Sequence, residues 1–149
     1  MAISTSLEEL ARYVDTFAER RGFDDIVATL GLEAHAADGE TISLRLPLHD
    51  SIAQASGMYS AAALFGAADI TGTFLAMQAY AETDQFPLAV QSSQNYLSNS
   101  KEPFAVATAR ILRLGGKVAV VEAKVADAAN RVLMHSTFTY VVAERVVGR

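Results

Sequence analysis

The chain has no cysteine, three prolines and three histidines in 149 residues, and each scarcity removes a class of function. Without cysteine there is no disulfide framework, no thiolate zinc site and no cysteine nucleophile. Such a composition suits a reducing compartment, so a cytoplasmic location is expected. His35, His49 and His135 fall on different predicted elements and none stands at metal-ligand spacing from another, so neither a metal nor a cofactor is expected. The Gly-x-Ser-x-Gly elbow, Gly-x-Gly-x-x-Gly, the phosphate loop ending in Gly-Lys-Ser/Thr and His-Glu-x-x-His are also missing. Serine-hydrolase, nucleotide-handling and zinc-protease readings lose their main support with them. Met1 to Glu9 lacks the basic and apolar regions of a secretory signal.

Positive charge is scarce too. Lys and Arg number 12 against 17 Asp and Glu, for a net charge of −5. The deficit is uneven: residues 1–74 hold 4 Lys and Arg against 11 Asp and Glu, and residues 75–149 hold 8 against 6. No broad basic surface for nucleic acid is expected from such a balance, although a local patch for a small anion is compatible with the second half.

What is present is enough for one substantial core, since 51% of the residues are hydrophobic, and residues 1–149 are expected to form one domain. Leu7, Leu10, Ala11, Val14, Phe17 and Ala18 recur at helical spacing behind a capping Ser6, with Glu9 as its capping-box partner, which predicts a helix over 7–20. Phe23 to Leu30 continues at helical spacing to Gly31, and a strand is expected from Leu32. Asp38-Gly39 then makes a hairpin turn into a strand over 41–48, where Ile42, Leu44, Leu46 and Leu48 alternate onto one face and Pro47 marks an edge or a terminus. After a loop over 49–57, an apolar helix is predicted from Met58 to Tyr80. Period-two alternation follows in four runs: Leu88–Tyr96, Phe104–Leu114, Val118–Ala126 and Val132–Val142. The separators 98–103, Gly115-Gly116 and Asp127–Asn130 read as hairpin connections, predicting an antiparallel meander.

The order is therefore α-β-β-α-β-β-β-β, an α+β arrangement in which one long central helix is wrapped by one curled antiparallel sheet. The stretch Met58–Ala81 is long enough to span a membrane, but it is rich in Ala, Gly and Thr and carries Asp69 near its centre. A central Asp costs about 2.5–3.5 kcal/mol on insertion scales and alanines return little of it, so the stretch reads as a core helix and no membrane association is expected.

Asp69 is the one charged side chain between Asp50 and Glu82. Removing a carboxylate from water is costly unless it is paired, hydrogen-bonded or protonated, so a lone acid in this run is a candidate for chemistry. On a helix it shares a stripe with Ala62, Phe65, Thr73 and Ala76, of which Thr73 alone is polar. Such an acid can act as a general base toward water. It can equally be a structural carboxyl hydrogen-bonded at a subunit boundary. At the helix start, Ser60, Ala61 and Ala62 are small enough to let a ligand approach the free backbone N–H groups, an arrangement suited to an oxyanion. Phe65, Phe74, Leu75, Met77 and Tyr80 either line an acyl tunnel or fill the core.

Taken together, Gly31-Leu-Glu, Asp38 to Leu48, Ala63-Leu-Phe-Gly-Ala-Ala-Asp-Ile-Thr-Gly72, Asn95-Tyr-Leu97, Ala109 to Glu122 and Leu133 to Val142 resemble, in order and spacing, the hotdog-fold acyl-CoA thioesterases of the phenylacetyl-CoA and 4-hydroxybenzoyl-CoA type. The resemblance implies hydrolysis of an acyl-CoA thioester, with coenzyme A entering as part of the substrate. It places Asp69 on the family's general base or nucleophile and Thr73 on a hydroxyl one turn later. Ala61, with Ala62 beside it, falls on the glycine whose N–H polarises the thioester carbonyl, and Gln54 on a residue that orients the attacking water. It also implies a homodimer or homotetramer whose active sites lie between subunits. Lys101, Arg110, Arg113 and Lys117 become candidates for the coenzyme A phosphates. Two departures stand out: Ser60-Ala-Ala62 replaces the usual His-Gly-Gly, and Ala89 stands where some members carry a serine. They favour, as an alternative, a non-catalytic acyl-CoA or lipid-binding module. A hotdog dehydratase or hydratase is a third reading, set back by the lack of a His beside the acid.

Overall fold

The computed structural model describes residues 3–81 and 85–144. Met1 and Ala2 of the segment read for a signal, and Glu82 that closes the charge gap, lie outside them. Helix α1 (Leu7–Arg21) starts where Ser6 Oγ accepts from the Glu9 N–H and ends at Gly22 in the left-handed region. Glu9 completes only a shifted capping box: its carboxylate takes the N–H and hydroxyl of Thr5, and these bonds hold its pKa below the ordinary value. Helix α2 (Ile26–Leu30) is capped by Asp25. Strands β1 (Glu33–Ala37) and β2 (Thr41–Pro47) form a hairpin. Asp38 takes the N–H groups of Glu40 and Thr41 at its turn, with Gly39 at φ 90°.

Helix α3 (Ala61–Ala79) is the long central element. It starts three residues later than the apolar spacing predicts. Met58 and Tyr59 belong instead to a small loop in which Gln54 N–H donates to Met58 O and Ser60 N–H donates to Ile52 O, while the buried Tyr59 reaches out to Glu102 O. Ser60, extended and accepting from the Ala63 N–H, is the true cap. Buried side chains therefore continue the helical period past the helix itself, because the loop packs into the same core.

Strands β3 (Gln85–Tyr96), β4 (Phe104–Leu114), β5 (Val118–Asp127) and β6 (Val132–Glu144) complete one antiparallel sheet in the order β1-β2-β4-β5-β6-β3. The expected meander holds for β4-β5-β6 and fails for β3, which crosses the sheet to pair with β6 from Gln85↔Glu144 to Tyr96↔Met134. Both sides of β4 are already taken, by β2 and by β5 through the Gly115-Gly116 turn. Of the two edges left open, the outer side of β1 and the free side of β6, β3 takes the second. Residues 97–103 are thus a crossover, fastened by Leu97 N–H to Leu133 O and by Asn99 to Tyr59 O. Pro47 ends β2, which lies inside the sheet and is not an edge.

The concave face of the sheet is unusually small in its side chains. Ala105, Ala107, Ala109 and Ala123 are fully buried, facing Ala67, Ala68 and Ala76 of α3, and the lack of bulk on both surfaces lets helix and sheet approach closely. Ile42, Leu44 and Leu46, fully buried on β2, fill the flank as alternation predicts. Among the described residues no helix is long and apolar enough to cross a membrane.

Candidate active site

The sheet does not cover α3 completely. Ala61 and Ala62 are exposed, and Phe65, Gly66, Asp69, Thr73 and Met77 are half-buried, while the positions between them are buried. This uncovered stripe follows the helical repeat, and Asp69 sits at its middle. Tyr140, fully buried on β6, places its phenol oxygen 3.0 Å from Asp69 O and 3.3 Å from Asp69 Oδ1, so one proton is shared between two acceptors. The Thr73 hydroxyl lies near the same phenol and acts to lower its pKa. Asp69 and Thr73, paired by spacing in the sequence, thus share Tyr140 as a neighbour that spacing did not reveal. A tyrosine alternating with Phe138 and Val142 on a strand reads as ordinary core.

Burial raises the Asp69 pKa above the ordinary carboxylate value, and the Tyr140 hydrogen bond opposes that rise without cancelling it. Among the described residues no cation pairs with Asp69. Burial also raises the Tyr140 pKa, and the nearby Asp69 charge pushes it further in the same direction, so the phenol stays protonated and donates. The result is a carboxyl group held in a fixed direction on a mostly apolar surface, with one lone-pair oxygen still available, which is the condition a general base or nucleophile needs.

At the helix N-terminus, Ser60 Oγ takes the Ala63 N–H and Ser60 O takes the Leu64 N–H. The N–H groups of Ala61 and Ala62, both exposed residues, have no acceptor among the described residues, and they are the free donors of the helix end. Helix rise puts Ala61 roughly 12 Å from Asp69 along the axis. Within one chain these two features cannot act on the same carbonyl.

Gln54 is not joined to either. Its carboxamide oxygen accepts from the Ser56 N–H at 2.6 Å and the Ser56 hydroxyl at 2.7 Å, closing its own loop. The four cations are dispersed as well. Lys101 lies by Gly57, its Nζ 4.0 Å from where a Cβ there would stand, at the N-terminal end of α3. Lys117 lies in the β4–β5 turn, whose Gly115 O accepts from Tyr80 Oη at the other end of the helix. The eleven residues of β4 between them span roughly 35 Å. Arg110 gives its guanidinium to Glu122 Oε1 at 2.6 Å, and Glu122 Oε2 contacts His135 at 3.0 Å. Arg113 is exposed near the far end of β4. These four therefore form no single phosphate cradle in one chain. His49 contacts Leu30 O at 3.2 Å. Of the five residues weighed for an acyl tunnel, Phe74, Leu75 and Tyr80 are core, and Phe65 packs on Phe138. Met77 opens on a cavity of about 520 Å³ shared with Tyr13, Phe17, Arg12 and Arg20.

The sequence model of the thioesterase superfamily matches residues 57–134, more than half of the chain and the whole of α3 with Asp69. The chain belongs to the thioesterase superfamily. Solved structures agree in fold. A thioesterase from Haemophilus influenzae superposes with a TM-score of 0.80 at 18% identity, over 94% of this chain and 92% of that one. A thioesterase mutant from Pseudomonas aeruginosa gives 0.76 at 19%, over 87% and 92%. A hypothetical thioesterase from Streptococcus pneumoniae, crystallised with coenzyme A, gives 0.66 at 18%, over 75% and 88%. No curated protein matches the sequence. The long helix enfolded by a six-stranded antiparallel sheet is the hotdog fold, and membership of this superfamily supports thioester hydrolysis as the reaction class.

Proposed function

We propose that this thioesterase-superfamily member hydrolyses acyl-CoA thioesters, with Asp69 as general base or nucleophile. The observation that carries the proposal is the state of Asp69: half-buried, its pKa raised by burial, held by one neutral hydrogen-bond donor and paired with no cation among the described residues. A structural carboxyl is normally satisfied by a cation or by several N–H groups, as Asp127 is by the N–H groups of Ala129 and Arg131.

Because Asp69 and the Ala61 N–H are about 12 Å apart along one helix, the reading requires two chains. Each site would combine Asp69 of one protomer with the Ala61 and Ala62 donors of an antiparallel partner helix, and pairing position 61 with 69 sets the two-fold axis near Phe65. Two features support such a dimer. The uncovered stripe on α3 includes these residues, and β3, twelve residues long, presents an outer edge with no partner among the described residues and exposes Val90 and Tyr96. An open strand edge of this length invites pairing. The cavity at Met77, two turns along the helix from Asp69, is of a size suited to the acyl portion.

The test is direct, since a chain without cysteine adds no background to a thiol-reactive assay of released coenzyme A. Purified protein is expected to release coenzyme A from at least one of phenylacetyl-CoA, 4-hydroxybenzoyl-CoA and a straight-chain series. Saturable binding of these thioesters with release no faster than the blank would replace the enzyme with the non-catalytic binding module. Lys101, exposed and unpaired among the described residues, shares an end of the molecule with the oxyanion donors and is assigned to a coenzyme A phosphate. Lys101→Ala is expected to raise KM for an acyl-CoA about tenfold with kcat little changed. The corresponding N-acetylcysteamine thioester, which has no phosphate, should show no such rise, and an equal effect on both substrates would remove the phosphate role.

A further inference from the structure

Resting on that reading, we propose that Tyr140 is a positioning residue that fixes the Asp69 carboxylate by a phenol hydrogen bond, and that Gly72 exists as glycine to admit the phenol. The phenol reaches α3 from the sheet, with 3.0 Å to the carbonyl and 3.3 Å to the carboxylate of the same residue. Gripping one residue by main chain and side chain at once restricts both its backbone and its χ1 freedom. The ring is itself held, stacked on Phe138 with centroids 6.0 Å apart and planes at 22°, and Phe138 packs on Phe65 of α3 at 5.6 Å.

Gly72 is one turn beyond Asp69, buried and helical in conformation, where glycine costs about 1 kcal/mol relative to alanine. No left-handed φ explains it. Space does: a Cβ built on Gly72 would stand 2.6 Å from Tyr140 Oη and 3.5 Å from the Cε2 and Cζ atoms of the ring. The conflict is with the oxygen alone. A residue that weakens the helix is thus kept where it protects a hydroxyl aimed at the candidate base. Tyr140 is the one titratable group among the described residues acting on Asp69; the other influence is burial. Thr73 supplies a hydroxyl and no charge.

Tyr140→Phe keeps the ring and deletes the donor. It is expected to lower kcat/KM roughly 10- to 100-fold and to move the acidic limb of its pH profile to higher pH, because burial of Asp69 is then unopposed. Gly72→Ala in the wild-type background should produce a loss of the same kind by displacing the phenol. In the Tyr140→Phe background the added methyl meets only ring carbons at ordinary contact distance, so Gly72→Ala should cost less than twofold more. A pH profile that stays in place would overturn the positioning role, since a purely packing role predicts it, and additive losses in the double variant would overturn the account of Gly72, since the conflict there is with the phenol oxygen alone. The Asp69 carboxyl can also be titrated by carbon NMR without turnover. A higher pKa in Tyr140→Phe than in wild type is expected and an equal one would sink the inference, even if no acyl-CoA is hydrolysed and the enzymatic reading itself has failed.

Discussion

Asp69→Asn is expected to abolish most turnover, lowering kcat by roughly 10²–10⁴-fold, while the folded protein becomes more stable at neutral pH. The two effects have one cause. An amide is nearly isosteric with the carboxylate and keeps the Oδ1 that accepts from Tyr140, so geometry is retained while the capacity to take a proton or attack a carbonyl is lost. The carboxylate in turn carries a burial penalty, which is what raises its pKa in the fold. A group whose pKa is higher folded than unfolded contributes its full stability below the unfolded value. It loses that contribution as pH rises through the folded value, so at pH 7 the ionised Asp69 is a liability. Thermal unfolding should therefore show a higher Tm for Asp69→Asn at pH 7, with the difference shrinking as pH falls toward 3.8, the ordinary aspartate value. A kcat unchanged from wild type would end the catalytic assignment. A lower Tm at pH 7 would mean that the carboxylate is a net structural bond.

The second large effect concerns the helix start. Ala61 is the first residue of α3, where proline is well tolerated because its fixed φ suits a helix and the N–H it lacks is unpaired within the helix. Ser60, at φ −72° and ψ 150°, already has the extended conformation required before proline. Ala61→Pro therefore deletes one donor and little else, and kcat should fall roughly 10²–10³-fold if that N–H stabilises the oxyanion. Because one site would take Asp69 from one protomer and the N–H from the other, mixing Asp69→Asn and Ala61→Pro chains should restore activity. Random pairing makes about half of the dimers mixed, and each mixed dimer holds one intact site of two, giving about one quarter of the wild-type rate. No recovery after subunit exchange would show that donor and acid do not serve one site across a two-fold axis.

Asp69 could be singled out from sequence because desolvation makes a lone carboxylate in an apolar run improbable unless something keeps it there, and that argument needs no coordinates. The strand boundaries of β4, β5 and β6 were legible for a comparable reason, as alternation on a half-buried sheet is a local property. Tyr140 and Gly72 were not, since a tyrosine on a strand and a glycine in an alanine-rich helix are each commonplace. Their meaning lies in a distance between two elements that no spacing encodes. Gln54 shows the converse: its position before the helix suggested a role toward water, but Ser56, two residues on, offers its oxygen a nearer pair of donors.

By itself the sequence determined which segments are helix and strand, that one helix is apolar enough to be enclosed, and that one acid within it must be accounted for. These follow from periodicity and the cost of burying charge, and both act over a few residues. Tertiary structure decided that β3 crosses to β6, that α3 begins at Ala61, that the four candidate cations are scattered, and that a phenol grips the acid. Each of these outcomes is a competition among distant partners, settled by which strand edge is already occupied and by how much room one atom leaves for another.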